Sequence, residues 1–426
     1  MNNTRLFKKS LLAVTITTAT IASQPVLAAG FQLNAQSATG LGRAFAGDAV
    51  IADNASVMAR NPAAMALFDQ MELSLGLVSI TSMIEVKDAK YASPNNSFAG
   101  VDSNYDDAGD TSFVPNIHLV VPVNEKFAWG VNAYSNFGTK TEFDSSFVGS
   151  EYGGKTEIMS MNLGLAGSYR VNEQWSFGAG LDLIYGQGTL QRTFSDQLYT
   201  GPVVDPTTGL LSAINGSEIM NIDGADGWGV GFNIGTVYEL DENNRFGLSY
   251  RYSPDIEAED DKGQKITLPL PDMAEFSGYH RIEDTKFAVH YSVQWIGWGT
   301  FDKITFENAP ISEKEYKWQD GMHYSIGGTY YMNSDWTLRA GYMHDTSAQD
   351  EVTSISVPDS DRNWFSAGFT YHIDDASNVD FGFTYLLGDD VKVNETTETS
   401  GTTVSSISGT THADAILVGL QYSRSF

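Results

Sequence analysis

The chain has no cysteine, which rules out a disulfide framework, a thiol nucleophile and thiolate metal ligands. Positive charge is scarce: 25 Lys and Arg stand against 53 Asp and Glu, a balance of −28 that argues against nucleic acid as a partner. Seven histidines are scattered, and there is no G-x-S-x-G elbow, no phosphate-binding loop and no H-E-x-x-H pair. These absences point away from an enzyme, a metal site or a bound cofactor. Beyond the first thirty residues no run of about 20 apolar residues occurs, so a membrane-spanning helix is excluded.

What is present is a leader followed by alternation. Residues 1–28 carry Arg5, Lys8 and Lys9, an apolar run, and Val26-Leu27-Ala28 before a secretory cleavage point. Without those three cations the mature chain balances 22 positive against 53 negative residues, or −31. Fourteen later segments alternate apolar and polar residues, as Met159, Met161, Leu163 and Leu165 do with Ser160, Asn162 and Gly164. Period two places each set on one face of a strand. Segments 71–86, 127–143 and 287–306 exceed the roughly 5–6 residues usual for a soluble sandwich strand. Trp129, Trp175, Trp298, Trp336 and Trp364 lie near segment ends, where an interfacial girdle would put them. Lipid satisfies no open sheet edge, so strands that cross it must close.

Six short connections (124–126, 172–174, 241–244, 283–285, 333–335 and 374–377) alternate with seven long ones (89–112, 144–155, 195–223, 260–265, 307–315, 351–361 and 394–411). The expected architecture is therefore an all-β membrane protein: a 14-stranded antiparallel transmembrane β-barrel over residues 71–426, with both ends on the periplasmic, short-turn side. The last strand alternates Ile416, Val418, Leu420 and Tyr422 and ends on Phe426, similar to the terminal signal of bacterial outer-membrane proteins, although Arg424 departs from it. Such a chain is exported, handled by the barrel-assembly machinery, and sits as a multi-pass monomer among outer-membrane lipid and lipopolysaccharide. Asp102, Asp106, Asp107 and Asp110 could meet lipopolysaccharide through divalent cations, though their spacing fits no EF-hand loop.

Residues 29–70 lack alternation and are rich in Ala and Gly. A fourteen-stranded lumen needs filling or conducts water, so this segment reads as a mostly helical hatch, with short helices at 44–49 and 55–59. Asn61-Pro62 reads as an N-cap with proline at the first helical position, starting a turn over 63–67.

The strings Ala29-Gly30-Phe31-Gln32-Leu33-Asn34, Gly40-Leu41-Gly42-Arg43-Ala44-Phe45, Ile51-Ala52-Asp53-Asn54-Ala55 and Arg60-Asn61-Pro62-Ala63, in that order behind a leader, resemble the hatch of the FadL family of long-chain fatty acid transporters. Val114-Pro115-Asn116, Phe276-Ser277-Gly278-Tyr279 and Val357-Pro358-Asp359 extend the resemblance through the barrel, which is also similar to the related P1 outer-membrane proteins. The resemblance implies passive, ligand-gated uptake of long-chain fatty acids or other hydrophobic compounds through a hatch-plugged barrel with a side opening.

A fatty acid offers a tail and a carboxylate. Burying about 14 methylenes contributes roughly 11 kcal/mol at about 0.8 each, while a buried carboxylate needs a cation. Parity along strand five puts Arg192 inside, and it matches the family's carboxylate-binding arginine by position. For the second cation, alignment favours Lys314 and parity favours Lys317. By resemblance, Phe31 enters the internal pocket, with Arg60, Asn61, Pro62 and Ala63 in the hatch around it. Asn136, Phe137 and Gly138 match an inward kink that opens the wall, with Ser112 and Ser135 at its rim. Leu198, Leu210, Leu211, Ile214 and Ile219 make the third long loop apolar, suiting a first surface groove. A general porin, or a hydrocarbon transporter whose loops serve as adhesin or receptor, remains the alternative. His290 and Ser292 share a strand face, but the opposite face is the lipid one, so the pair points inward, away from phospholipid.

Overall fold

The computed structural model describes residues 30–93, 99–194, 217–399 and 402–426. The leader, Leu198, Leu210, Leu211 and Ile214 lie outside them, while Ile219 falls within a strand.

Fourteen wall strands run in chain order: β1 Glu72–Ala92, β2 Thr111–Pro122, β3 in two pieces (Phe127–Tyr134 and Gly138–Glu142), β4 Lys155–Arg170, β5 Trp175–Thr193 and β6 Glu218–Glu239. β7 is Asn244–Tyr252 continued by Ile256–Glu259, β8 is Lys265–Leu268 then Met273–Arg281, and β9 is Phe287–Ile296 then Lys303–Glu307. β10 is Glu313–Glu315 then Gly321–Tyr331, β11 Trp336–Asp345, β12 Arg362–Asp374, β13 Ser377–Gly388 then Val391–Thr399, and β14 Thr402–Ser425. Each pairs antiparallel with its neighbour, and β1 pairs with β14 from Glu72↔Ser425 to Ala92↔Ser406, which closes the barrel. The ladder runs on where a seventh long loop was expected at 394–411, because Val391–Thr399 pairs with β14 down to Thr399↔Thr402.

Period two holds where lipid enforces it. Leu165, Leu181 and Val230 stand 58–62% exposed on the outer wall, while Asn162, Ser168 and Asp182 are buried inside. The short turns form because asparagine folds its side chain onto the chain ahead. Asn124, Asn172 and Asn333 each accept from the amides two and three residues on, at 2.8–3.0 Å. Trp129, Trp175 and Trp336 face outward as a girdle should, but Trp298 and Trp364 are at most 1% exposed and point inward.

The hatch fills the lumen with turns rather than long helices. Ala38–Leu41 is one helical turn capped by Ser37, and Ala55–Ala59 and Pro62–Leu67 are 3₁₀ turns capped by Asn54 and Asn61. The expected helix at 44–49 is absent: Ala44 and Phe45 sit at φ +53° and +58°, and Gly47 at +77°. Tertiary contact overrides alanine's helix propensity there. The Arg43 carbonyl lies so close to the wall backbone that a Cβ on Gly341 would meet it at 2.2 Å.

Asn61 is fully buried; its side chain accepts from the Ala63 amide at 3.0 Å and donates to the carbonyls of Ala49 (2.8 Å) and Thr236 (3.0 Å). Asn61→Ala should cost about 1 kcal/mol for the cap and about 1 more for each lost bond. Hydrogen exchange over residues 54–68 should then speed up roughly a hundredfold; unchanged protection would show that Asn61 does not hold the hatch.

Candidate ligand site and wall break

Where β9 and β10 are interrupted, the chain turns its aromatic residues into the lumen. Phe31 comes up from the hatch to meet them, with ring centroids 4.5 Å from Trp298, 5.2 Å from Phe301, 5.8 Å from Trp318 and 6.2 Å from Phe137. The cluster continues through Tyr316, 4.9 Å from Phe301, and is lined by aliphatic side chains of β5, β6 and β8 such as Ile184, Ile222 and Leu268. Phe301, Tyr316 and Trp318 were not singled out from sequence, and Trp298 was read only as a girdle residue. The even-numbered register of β9, which puts His290 and Ser292 inside, would have placed Trp298 there too.

Two cations stand at the Tyr316 end. Arg192 of β5 is buried and donates to the carbonyls of Lys155 and Gln191 (2.7 and 2.8 Å) and to the Thr156 hydroxyl (2.7 Å). Among the described residues it forms no ion pair, although Tyr316 and Glu395 lie within electrostatic range. Lys314 of β10 lies 5.3 Å from the Tyr316 ring centroid and 3.8 Å from Glu395. Lys317 lies apart: strand pairing stops at Glu315, Lys317 takes φ +51°, and its half-exposed amine pairs with Glu315 at 2.7 Å. The left-handed residue breaks the parity on which an inward Lys317 depended, whereas Lys314 has Tyr316 and Glu395 as neighbours in common with Arg192.

At the other end of the cluster the wall is broken. β2 and β3 pair only from Pro122↔Ala128 to Ile117↔Ala133, and the second piece of β3 pairs with β4. Among the described residues no pairing joins it to the first half of β2. Ser112 and Ser135, at the two edges, are buried, as are Asn136, Phe137 and Gly138. The N-terminal segment covers the break from inside. Leu33 donates its amide to the Asn136 carbonyl (2.6 Å), and Gly138 donates to that of Phe31 (2.7 Å). On the β2 edge, Asn116 donates to the Ala35 carbonyl (3.1 Å) and His118 Nε2 lies 3.0 Å from that of Gln36. Above the break Lys140 pairs with Asp110 at 2.6 Å. Gly30 begins the segment at φ +59° with its amide on Asp359 (3.2 Å). Burial raises the Asp359 carboxyl above its ordinary range, against the pull of the adjacent Arg362.

Arg60, Asn61, Pro62 and Ala63 do not join Phe31 in the aromatic cluster. Arg60 ion-pairs with Asp48 and Glu275 (both 3.5 Å), donates to Asn34 (2.6 Å) and borders a polar cavity of about 20 Å³ with Gln32, Gln36 and Asn136. Asp53 receives Arg43 at 2.8 Å and Arg339 of β11 at 3.2 Å. Burial pushes the Asp53 carboxyl up, but the two guanidinium groups win and hold it below the usual carboxylate range. The inward pair on β9 is also used structurally: Ser292 accepts from the Gly47 amide at 2.9 Å, and His290 lies 3.0 Å from the Thr329 hydroxyl.

A closed fourteen-stranded barrel with an apolar outer wall, plugged from its N-terminus and packed inside by an aromatic cluster with cations at one end, has the build of an outer-membrane channel. Residues 18–426 match the family model described as outer membrane protein transport protein (OMPP1/FadL/TodX), and the chain belongs to that family. It is 37% identical to the long-chain fatty acid transport protein of Salmonella typhi, covering 93% of this chain and 95% of that protein. It is 35% identical to outer membrane protein P1 of Haemophilus influenzae, covering 99% of each. A solved Pseudomonas aeruginosa FadL homologue superposes with a TM-score of 0.81 at 20% identity, covering 93% of this chain and all of that one. The protein is thus a multi-pass outer-membrane transporter of hydrophobic compounds and not an enzyme.

Proposed function

We propose that the chain takes up long-chain fatty acids, with the carboxylate held by Arg192 and Lys314 and the tail lying along the aromatic cluster toward the break in β3. The observation that carries this is the Arg192 guanidinium: it is buried near the Tyr316 end of the aromatic cluster and bound only to neutral oxygens among the described residues. A buried cation of that kind is stabilised by an incoming anion. The names of the long-chain fatty acid transport relatives support the same ligand class.

The continuous ring contacts from Tyr316 through Phe301 and Phe31 to Phe137 supply the tail with an unbroken apolar surface. Phe31 occupies that surface in the resting state, so the N-terminal segment moves out as the ligand settles. Its departure also uncovers the carbonyl of Asn136 and the amide of Gly138, freeing the edge beside Ser135 and Ser112. The solute then leaves sideways into the membrane, because a tail gaining about 0.8 kcal/mol per buried methylene does not choose water.

Arg192→Ala should weaken oleate binding by at least about thirtyfold, the lower end of the cost of truncating a buried charge partner. Uptake of an uncharged alkene of equal length should be spared, and Arg192→Gln should behave as Arg192→Ala does. Lys314→Ala should show the same selectivity more weakly, and Lys317→Ala should have no effect. Equal loss of both solutes in a barrel with normal heat-modifiable gel mobility would make Arg192 structural and remove the proposal.

A further inference from the structure

The aromatic cluster is not uniformly apolar. Trp298 and Trp318, 0% and 5% exposed with ring centroids 5.1 Å apart, each bury an indole Nε1 that has no acceptor among the described residues. Buried tryptophan normally finds a partner for its N–H, and an indole N–H can only donate. The Tyr316 and Trp318 ring centroids are 6.0 Å apart and the Lys314 amine is 5.3 Å from the Tyr316 ring, so Tyr316 links the lysine to the ring cluster that holds the two indoles. Gly30 fills the space against both rings: a Cβ there would come within 2.6 Å of carbons of each. The segment that must move for a ligand to enter is therefore the one that covers the two indoles.

We infer that the preferred ligand is a long-chain acid bearing an oxygen acceptor at mid-chain, a hydroxyl or keto group, which accepts from Trp298, Trp318 or both. The inference rests on the functional reading above and narrows its substrate class. A plain acyl chain satisfies the cations but leaves both donors unpaired, whereas a chain with one oxygen at the right carbon pairs them without disturbing the head group. A site with donors of this kind discriminates through the unpaired group left by the wrong ligand.

The test compares stearate, 10-hydroxystearate and 12-hydroxystearate as competitors of a fluorescent fatty acid on the purified full-length barrel. At least one hydroxy acid should bind about tenfold tighter than stearate. In Trp298→Phe/Trp318→Phe, which keeps an aromatic ring at each position and removes both N–H groups, the ratio of hydroxy-acid to stearate affinity should fall to about one, whatever the change in stearate affinity itself. The single Phe variants, checked by heat-modifiable mobility, show which indole donates. Equal affinity for the three acids in the parent protein, or a preference that survives in the double variant, overturns the inference alone. Failure of all three acids to bind overturns the fatty-acid reading as well.

Discussion

Oxidising a Gln32→Cys/Phe137→Cys variant should abolish oleate uptake, and a reductant should restore it. The two residues form an antiparallel bridge flanked by the Leu33-to-Asn136 and Gly138-to-Phe31 hydrogen bonds. In such a non-hydrogen-bonded pair the Cα atoms are about 4.5 Å apart, within the roughly 4.4–6.8 Å that a disulfide spans. The chain has no native cysteine to compete for the new thiols. The cross-link pins Phe31 in the aromatic cluster and keeps the break in β3 covered, while the cations and the fold stay as they are. The reduced protein controls for the lost Phe137 ring. Full uptake by the oxidised, correctly assembled barrel would mean that solute passes without moving the N-terminal segment, and the proposed gating would fall.

Deleting residues 29–70 should turn the barrel from a closed protein into a steadily conducting one. With the hatch gone, inward wall residues such as Asp182, Arg251, Glu275 and Arg339, now tied to hatch atoms or to one another, would line a hydrated lumen. Fourteen strands enclose space enough for water once unfilled. Planar bilayers should show large, long-lived single-channel currents for the deletion and little for the intact chain. Similar small currents from both would mean that the extracellular loops, and not the hatch, close the pore.

The wall was legible because lipid imposes period two on every strand and asparagine marks the tight turns; where strands leave the membrane, those constraints lapse. The stretch 394–399 was hidden because its run of Asn394, Glu395, Thr396, Thr397, Glu398 and Thr399 shows no apolar alternation. Lys314 and Lys317 stayed open from sequence because the parity that favoured Lys317 was carried past the end of strand pairing at Glu315, through a residue of positive φ. Trp298 read as part of the girdle because an aromatic near a strand end suits either side of the wall. In the hatch, caps with a local cause were visible, as at Asn61, whereas the turn over 44–49 depends on a glycine some three hundred residues away. Arg192 could be placed from sequence, but the neutral oxygens around it belong to β4 and to the backbone, which no local pattern specifies.

The stretch 31–36 lies along both edges of the broken wall at once, through backbone bonds to β3 and side-chain bonds from β2. Pocket and side exit then share one bolt. Under the proposed gating the empty barrel has no state in which the wall stands open, and membrane phospholipid finds no entrance to the lumen from the side. Traffic follows from that: the route exists only while cargo is aboard, and its direction is set by whichever side removes the cargo faster, with no energy source needed to prevent leakage between deliveries.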